Sequence, residues 1–267
     1  MNNDLATTLV PNRSRIWLYA FVGLALFFLI LPILIIIPMS FSGSRFLDFP
    51  PQSWSLRWYR LYFTTPQWID ATWVSFRIAV MTCLIATPAG VAAAYAIHSS
   101  STRLFRQIQA VLFLPLMVPH IIVAIGLFFV LARLNLVTSM FGLIAANVML
   151  ALPLVIVTTL SGLRHFDMNQ ERVARSLGYN RFWAFVLVTL PQIRGSVVSG
   201  ALFAFVTALD EVIIALFISG GTNTTLTKIM FTALRDEIDP TIAAVSSMLI
   251  LISLVVGFTA VLANRRG

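Results

Sequence analysis

The chain has 267 residues, of which 59% are hydrophobic and only 10% charged, with a mean hydropathy of +0.91. Soluble domains carry about a quarter charged residues, so these values exclude a soluble enzyme or binding domain and indicate a polytopic membrane protein. The net charge of +8 rests on arginines scattered between apolar runs, with Lys228 the single lysine, which excludes a nucleic-acid face and points to membrane topology.

Residues 1–15 form a short polar tail containing Arg13 and Arg15. Residues 16–39 are apolar throughout, long enough to span a bilayer and too long for a signal-peptide core, so a retained first span is expected. Pro32 and Pro38 are expected to kink it or end its outer half. Residues 40–70 form a loop with the run FPPQSWSLRWYRLYFTTPQW, whose tryptophans and tyrosines suit a membrane interface. Five further spans are read at residues 71–97, 107–132, 140–163, 192–219 and 241–263. The lone cysteine, Cys83, lies in the first of these, cannot form an internal disulfide and reads as inert packing.

Six spans place both ends on one side, and the basic residues test which side. Arg13, Arg15, Arg103, Arg106, Arg164, Arg172, Arg175, Arg181, Arg194, Arg265 and Arg266 fall on the proposed cytoplasmic side. Arg45, Arg57, Arg60, Arg133, Lys228 and Arg235 fall outside, and Arg77 is expected to snorkel from the second span. The excess favours a tail in the cytoplasm. The chain is thus expected to divide into a tail (1–15), a first span with external loop (16–70) and a five-helix core (71–267). Pro88, Pro115, Pro119 and Pro153 lie inside apolar runs, where bent helices leave room for a pathway.

The core carries one polar-studded segment, residues 164–190. Asp167 followed by Gln170 predicts a capping box, and Gly178 supplies a left-handed stop, so residues 168–177 read as one helix of about 15 Å, too short to span. Val173, Ala174 and Leu177 are expected to share one side, with Glu171, Arg172 and Arg175 pointing elsewhere. A second short helix is expected from Asn180, with Pro191 marking the way into the next span. Together they read as a two-helix foot lying across the membrane surface.

Two carboxylates, Asp210 and Glu211, interrupt VTALDEVIIALFI, a run otherwise fit for hydrocarbon, at a depth of about 20 Å from Pro191. A carboxylate there must face water, a partner or a cation. Two readings stand: a site or gate on a translocation path, or a protonated or salt-bridged structural pair. His120, after Pro119, is either a donor to a substrate or a buried histidine satisfied by a helix carbonyl.

Ala174, Gly178, Val188 and Leu190-Pro191 resemble the coupling-loop signature of bacterial ABC importer permeases, a glutamate and two alanines, then a glycine, a hydrophobic residue and Leu-Pro. Arg172 stands at the glutamate position and Val173 at the first alanine, with Glu171 one place earlier. The run Ser55 to Tyr59, the segment Thr207 to Ile214, Gly220-Gly221 and Thr225 to Ile229 are similar to the spermidine/putrescine branch. The resemblance implies an all-α polytopic membrane protein with six transmembrane helices of the type-1 importer kind. It implies ATPase coupling through Glu171, Arg172, Ala174, Arg175, Leu177 and Gly178, and a substrate pathway at Asp210, Glu211, His120 and Thr207. It also implies a second permease subunit, two ATPase subunits, an extracytoplasmic solute-binding protein and a place in the bacterial inner membrane.

No G-x-x-x-x-G-K-[ST] occurs, so ATP and Mg are expected on the partner ATPase, with no cofactor or metal in this chain and no catalytic residue. The expected solute is putrescine or spermidine, with an opine, amino acid derivative or aminophosphonate as the alternative. A proton-coupled carrier or membrane enzyme using Asp210, Glu211 and His120 is the remote one, disfavoured by the lack of an inverted repeat.

Overall fold

The computed structural model describes residues 16–265 apart from 101 and 238. The expected tail, with Arg13 and Arg15, lies outside the described residues, as does Arg266. Two compact units are present, one running to Tyr62 and including a segment that ends at Leu249, the other comprising Phe63–Glu237 and the chain from Ile250 onward.

In the first unit, α1 (Ile16–Ser40) is apolar all round and buries only Ser40, the pattern of a helix whose surroundings are hydrocarbon. It runs through both Pro32 and Pro38, so neither ends its outer half. Each proline removes one backbone donor, and the remaining turns hold the helix together. Beyond it the chain folds back through a bridge between Ser42 and Trp54, and the Gly43 amide donates to the Ser53 carbonyl at 2.9 Å. The expected loop also contains a helix, α2 (Arg57–Thr64), which buries Trp58 and Tyr62. The Tyr59 hydroxyl lies 2.7 Å from Ser40 Oγ, and its ring centroid is 5.2 Å from that of Phe41.

The second unit is built on three mutually packed helices, α3 (Pro66–Ser99), α6 (Met140–His165) and α10 (Arg194–Asp210). Small residues let them approach. Ala86, Val91, Ala151, Val155 and Ala204 are buried together where they meet. A Cβ on Gly90 would lie 2.6 Å from Val155 Cγ1, and one on Gly200 only 3.3 Å from Val155 Cα, so neither position has room for a side chain. The helix α3 begins at Pro66, ahead of the expected 71, because a proline in the first turn needs no amide partner.

Two expected spans are broken. Residues 107–132 form α4 (Arg103–Met117) and α5 (His120–Arg133), which meet at 107°. Pro119 lacks an amide and forces Val118 into an extended conformation (φ −90°, ψ 135°), so the helix cannot continue. Residues 192–219 are α10, an extended Glu211 and the six-residue α11 (Ile213–Ile218). The chain ahead of α10 turns by 82° at Ile193. The helices α12 (Leu226–Thr232) and α13 (Thr241–Arg265) complete the order.

Among the described residues three helices, Ile16–Ser40, Pro66–Ser99 and Met140–His165, are long and apolar enough to cross a membrane, and counting each bent pair as one span brings the number to five. The apolar stretch Thr241–Val255 is shorter.

Candidate functional site

Two polar constellations stand in the second unit. The first lies where the expected foot was read. There α7 (Met168–Ser176) begins with Asp167, whose carboxylate accepts from the Asn169 amide at 3.0 Å. The reciprocal capping box is not formed, because Gln170 turns away and its Oε1 accepts from Gln192 Nε2 at 2.5 Å. At the other end Gly178 adopts φ +99°. The Tyr179 amide reaches the Ala174 carbonyl (3.3 Å), and the Gly178 amide reaches that of Arg175 (3.1 Å). This is the six-to-one and five-to-two pairing that closes a helix on a left-handed glycine. Asn180 then caps α8 (Arg181–Ala184) by accepting from the Trp183 amide at 2.9 Å. The chain continues through a π turn (Phe185–Thr189) and α9 (Leu190–Gln192) into the bundle.

The sidedness of α7 differs from the expectation. Val173 and Leu177 are exposed, whereas Glu171 is buried beside Ala174. The reason is hydrogen bonding. The Tyr95 hydroxyl, near the end of α3, donates to Glu171 Oε1, and Thr189 Oγ1 donates to Oε2 at 2.7 Å. A buried carboxylate is tolerated when its lone pairs are taken in this way. Arg181 supplies the counter-charge one step removed, with Nε donating to the Tyr95 oxygen at 3.2 Å and Nη2 to Ser99 Oγ at 2.5 Å. The hydrogen bond to Tyr95 raises the Arg181 guanidinium above even its ordinary range, so it remains charged. Glu171 thus ties α7 to α3 and to the π turn. Arg172, Arg175, Leu177 and Gly178 stay exposed. Tyr95, Thr189 and Arg181 carry this arrangement, yet they lie 76, 18 and, from Tyr95, 86 residues from their partners, a pairing that no local sequence pattern displays.

The second constellation gathers all four residues read as a pathway. His120, Thr207, Asp210 and Glu211 line one cavity of about 390 Å³ together with Val206, Val212 and Ile213. The breaks in the two expected spans bring them together, since His120 opens α5, Asp210 ends α10 and Glu211 is the extended link. Glu211 is 9% exposed, and its Oε1 accepts from the Ile214 amide at 3.0 Å, within the first turn of α11. Its Oε2 faces His120 Nδ1 at 3.9 Å. Asp210 is exposed, and among the described residues no donor reaches its carboxylate. The histidine is not the buried one satisfied by a helix carbonyl, because its side chain is 48% exposed and its polar neighbour is Glu211. Such an arrangement can hold a cation against one free and one half-engaged carboxylate.

A larger open cavity of about 600 Å³ contains Asp70, Trp73 and Arg77 but none of these four residues. Cys83 does more than fill space, as its thiol donates to the Ala201 carbonyl at 3.3 Å. Among the described residues no group of three or more His, Cys, Asp or Glu side chains could hold a metal.

Comparison with known proteins agrees with this architecture. The family described as "Binding-protein-dependent transport system inner membrane component" matches residues 86–267. The spermidine/putrescine transport system permease protein PotC of Escherichia coli K12 is 28% identical over 228 residues, 85% of this chain and 86% of that protein. The putrescine transport system permease protein PotI of the same organism is 29% identical over 265 residues, 97% and 92% of the two chains. A chain of the bacterial alginate ABC transporter, solved with an alginate pentasaccharide-bound periplasmic protein, superposes with a TM-score of 0.72 at 16% identity, covering 95% of this chain and 96% of that one. Such relatives leave no place for a self-sufficient carrier or a membrane enzyme. The chain belongs to the family of binding-protein-dependent transport system inner membrane components, and it is a permease subunit of an ABC importer.

Proposed function

We propose that this permease forms half of the pathway by which a small amine of the putrescine or spermidine type crosses the bacterial inner membrane. The observation that carries the reading is the cavity in which Asp210, Glu211, His120 and Thr207 converge, with two carboxylates suited to ammonium groups. The spermidine/putrescine and putrescine systems to which the two relatives belong support it. Six spans with both ends in the cytoplasm follow from the arginine distribution, with each bent pair and α13 counted as crossing.

In this arrangement the exposed face of α7 and α8 receives a partner ATPase, which holds ATP and Mg, through Arg172, Arg175, Leu177 and the turn at Gly178. Glu171 and Ala174 seat the helix from behind. A second permease completes the pathway, two ATPase subunits drive it, and an extracytoplasmic binding protein delivers solute; the alginate transporter in complex with an alginate pentasaccharide-bound periplasmic protein supports the last of these. Closure of the ATPase pair moves α7, and the bundle passes from inward-open to outward-open.

A second reading keeps the transporter and changes the solute to an opine, amino acid derivative or aminophosphonate. It is favoured by His120, which faces the Glu211 carboxylate at 3.9 Å and offers a donor to an anionic group. The assembled complex in proteoliposomes separates the two. Putrescine- or spermidine-loaded binding protein is expected to stimulate ATP hydrolysis and uptake. Stimulation only by an opine- or phosphonate-loaded protein would move the assignment to the second reading.

A further inference from the structure

We propose that Ser75, Thr227 and Lys228 form a positioning clamp that keeps the chain unwound at Glu211 and thereby shapes the cavity beside it. The inference rests on that cavity being part of the solute pathway, and adds three residues that are not among those lining it. It starts from a problem of backbone satisfaction. A helix interrupted within an apolar bundle leaves carbonyls at the end of one piece and amides at the start of the next without partners, and no water is there to serve them. The apolar run on either side of Asp210 and Glu211 has every reason to close into one continuous helix.

The observed contacts oppose that closure one group at a time. In an unbroken helix the Glu211 carbonyl would accept from the Ala215 amide. Here Thr227 Oγ1 donates to it at 3.0 Å, with both residues buried. The Ile214 amide is taken by Glu211 Oε1 at 3.0 Å. At the far end of α11, Lys228 Nζ donates to the carbonyls of Leu216 (3.4 Å) and Ser219, placing a cation at a helix C-terminus. The clamp is itself anchored, because the Leu226 amide donates to Ser75 Oγ on α3 at 2.8 Å and Thr225 Oγ1 accepts from the Lys228 amide at 3.4 Å. A run of four residues, Thr225 to Lys228, therefore fastens both ends of α11 and ties them to α3. With Oε1 of Glu211 committed to α11, only Oε2 turns to the cavity, and the neighbouring Asp210 is left as the fully available carboxylate.

The test reads the cavity directly. In the assembled transporter carrying Cys83→Ser and Val206→Cys, the rate of labelling by a small maleimide reports access to the cavity wall. Thr227→Val is expected to change that rate and the KM for uptake by about tenfold each, the size expected for one buried hydrogen bond lost with its partner stranded. Thr227→Ser, which keeps the hydroxyl, is expected to restore both. Ser75→Ala, a milder change on α3, is expected to move them in the same direction. Parental labelling and parental KM in both Thr227→Val and Ser75→Ala would overturn the clamp. A parental protein that imports no amine, but whose labelling still responds to Thr227→Val and recovers in Thr227→Ser, leaves the clamp standing and removes the assigned solute instead.

Discussion

Glu171 and Asp210 are both carboxylates set among apolar helices, and the fold treats them in opposite ways. Glu171 is 3% exposed, with one oxygen held by Tyr95 and the other by Thr189. Asp210 is exposed to a cavity, and among the described residues nothing reaches it. A carboxylate whose lone pairs are filled contributes structure, because removing it strands the donors that served it. One with open lone pairs contributes little to stability and is available for a ligand. Glu211 stands between the two, with one oxygen on the Ile214 amide and the other toward His120.

The contrast can be broken most decisively in the bundle. Asp210→Asn combined with Glu211→Gln is expected to abolish uptake while the assembled complex is recovered in normal yield, measured by solute flux and by size-exclusion chromatography. Wild-type flux in that variant would remove both residues from the pathway. Glu171→Leu should give the next largest effect and of a different kind. It strands the Tyr95 and Thr189 hydroxyls at about 1–3 kcal/mol each, lowering the unfolding temperature and raising ATP consumed per solute imported. Glu171→Gln, which can still accept from Tyr95, should recover most of both losses.

Smaller effects sharpen the picture of α7. Gly178→Val places a β-branched residue at φ +99°, a strain of about 1–3 kcal/mol, and should weaken ATPase attachment measured by co-purification. Asn180→Ala removes the cap on α8 and should cost about 1 kcal/mol in thermal stability, with uptake falling only in proportion.

Much of this is legible in the sequence. The apolar runs at 16–39 and 140–163 became α1 and α6 with ends shifted by one or two residues, because length and hydropathy alone dictate such helices. Asp210, Glu211 and His120 stood out because each is costly in hydrocarbon, and the cavity gathers them. Their route together was not legible. The run around Glu211 looks like uninterrupted helix, since the groups that hold it apart, Thr227 and Lys228, come from a later segment. The inward turn of Glu171 was hidden for the same reason. Local periodicity groups Val173 and Leu177 with Ala174 and sets Glu171 apart, but two hydroxyls from α3 and the π turn draw Glu171 inward beside Ala174.

Val155, caught between Gly90 and Gly200, has a consequence for how this bundle can move. Lengthwise sliding of α3 or α10 past α6 would carry a residue bearing a Cβ into the place of a glycine, where the spacing leaves none. The three helices are in effect keyed at one level, so a displacement of any one of them turns all three as a single block. The joints left for bending are the corners at Ile193 and at Val118–Pro119, where the chain already turns by 82° and 107°.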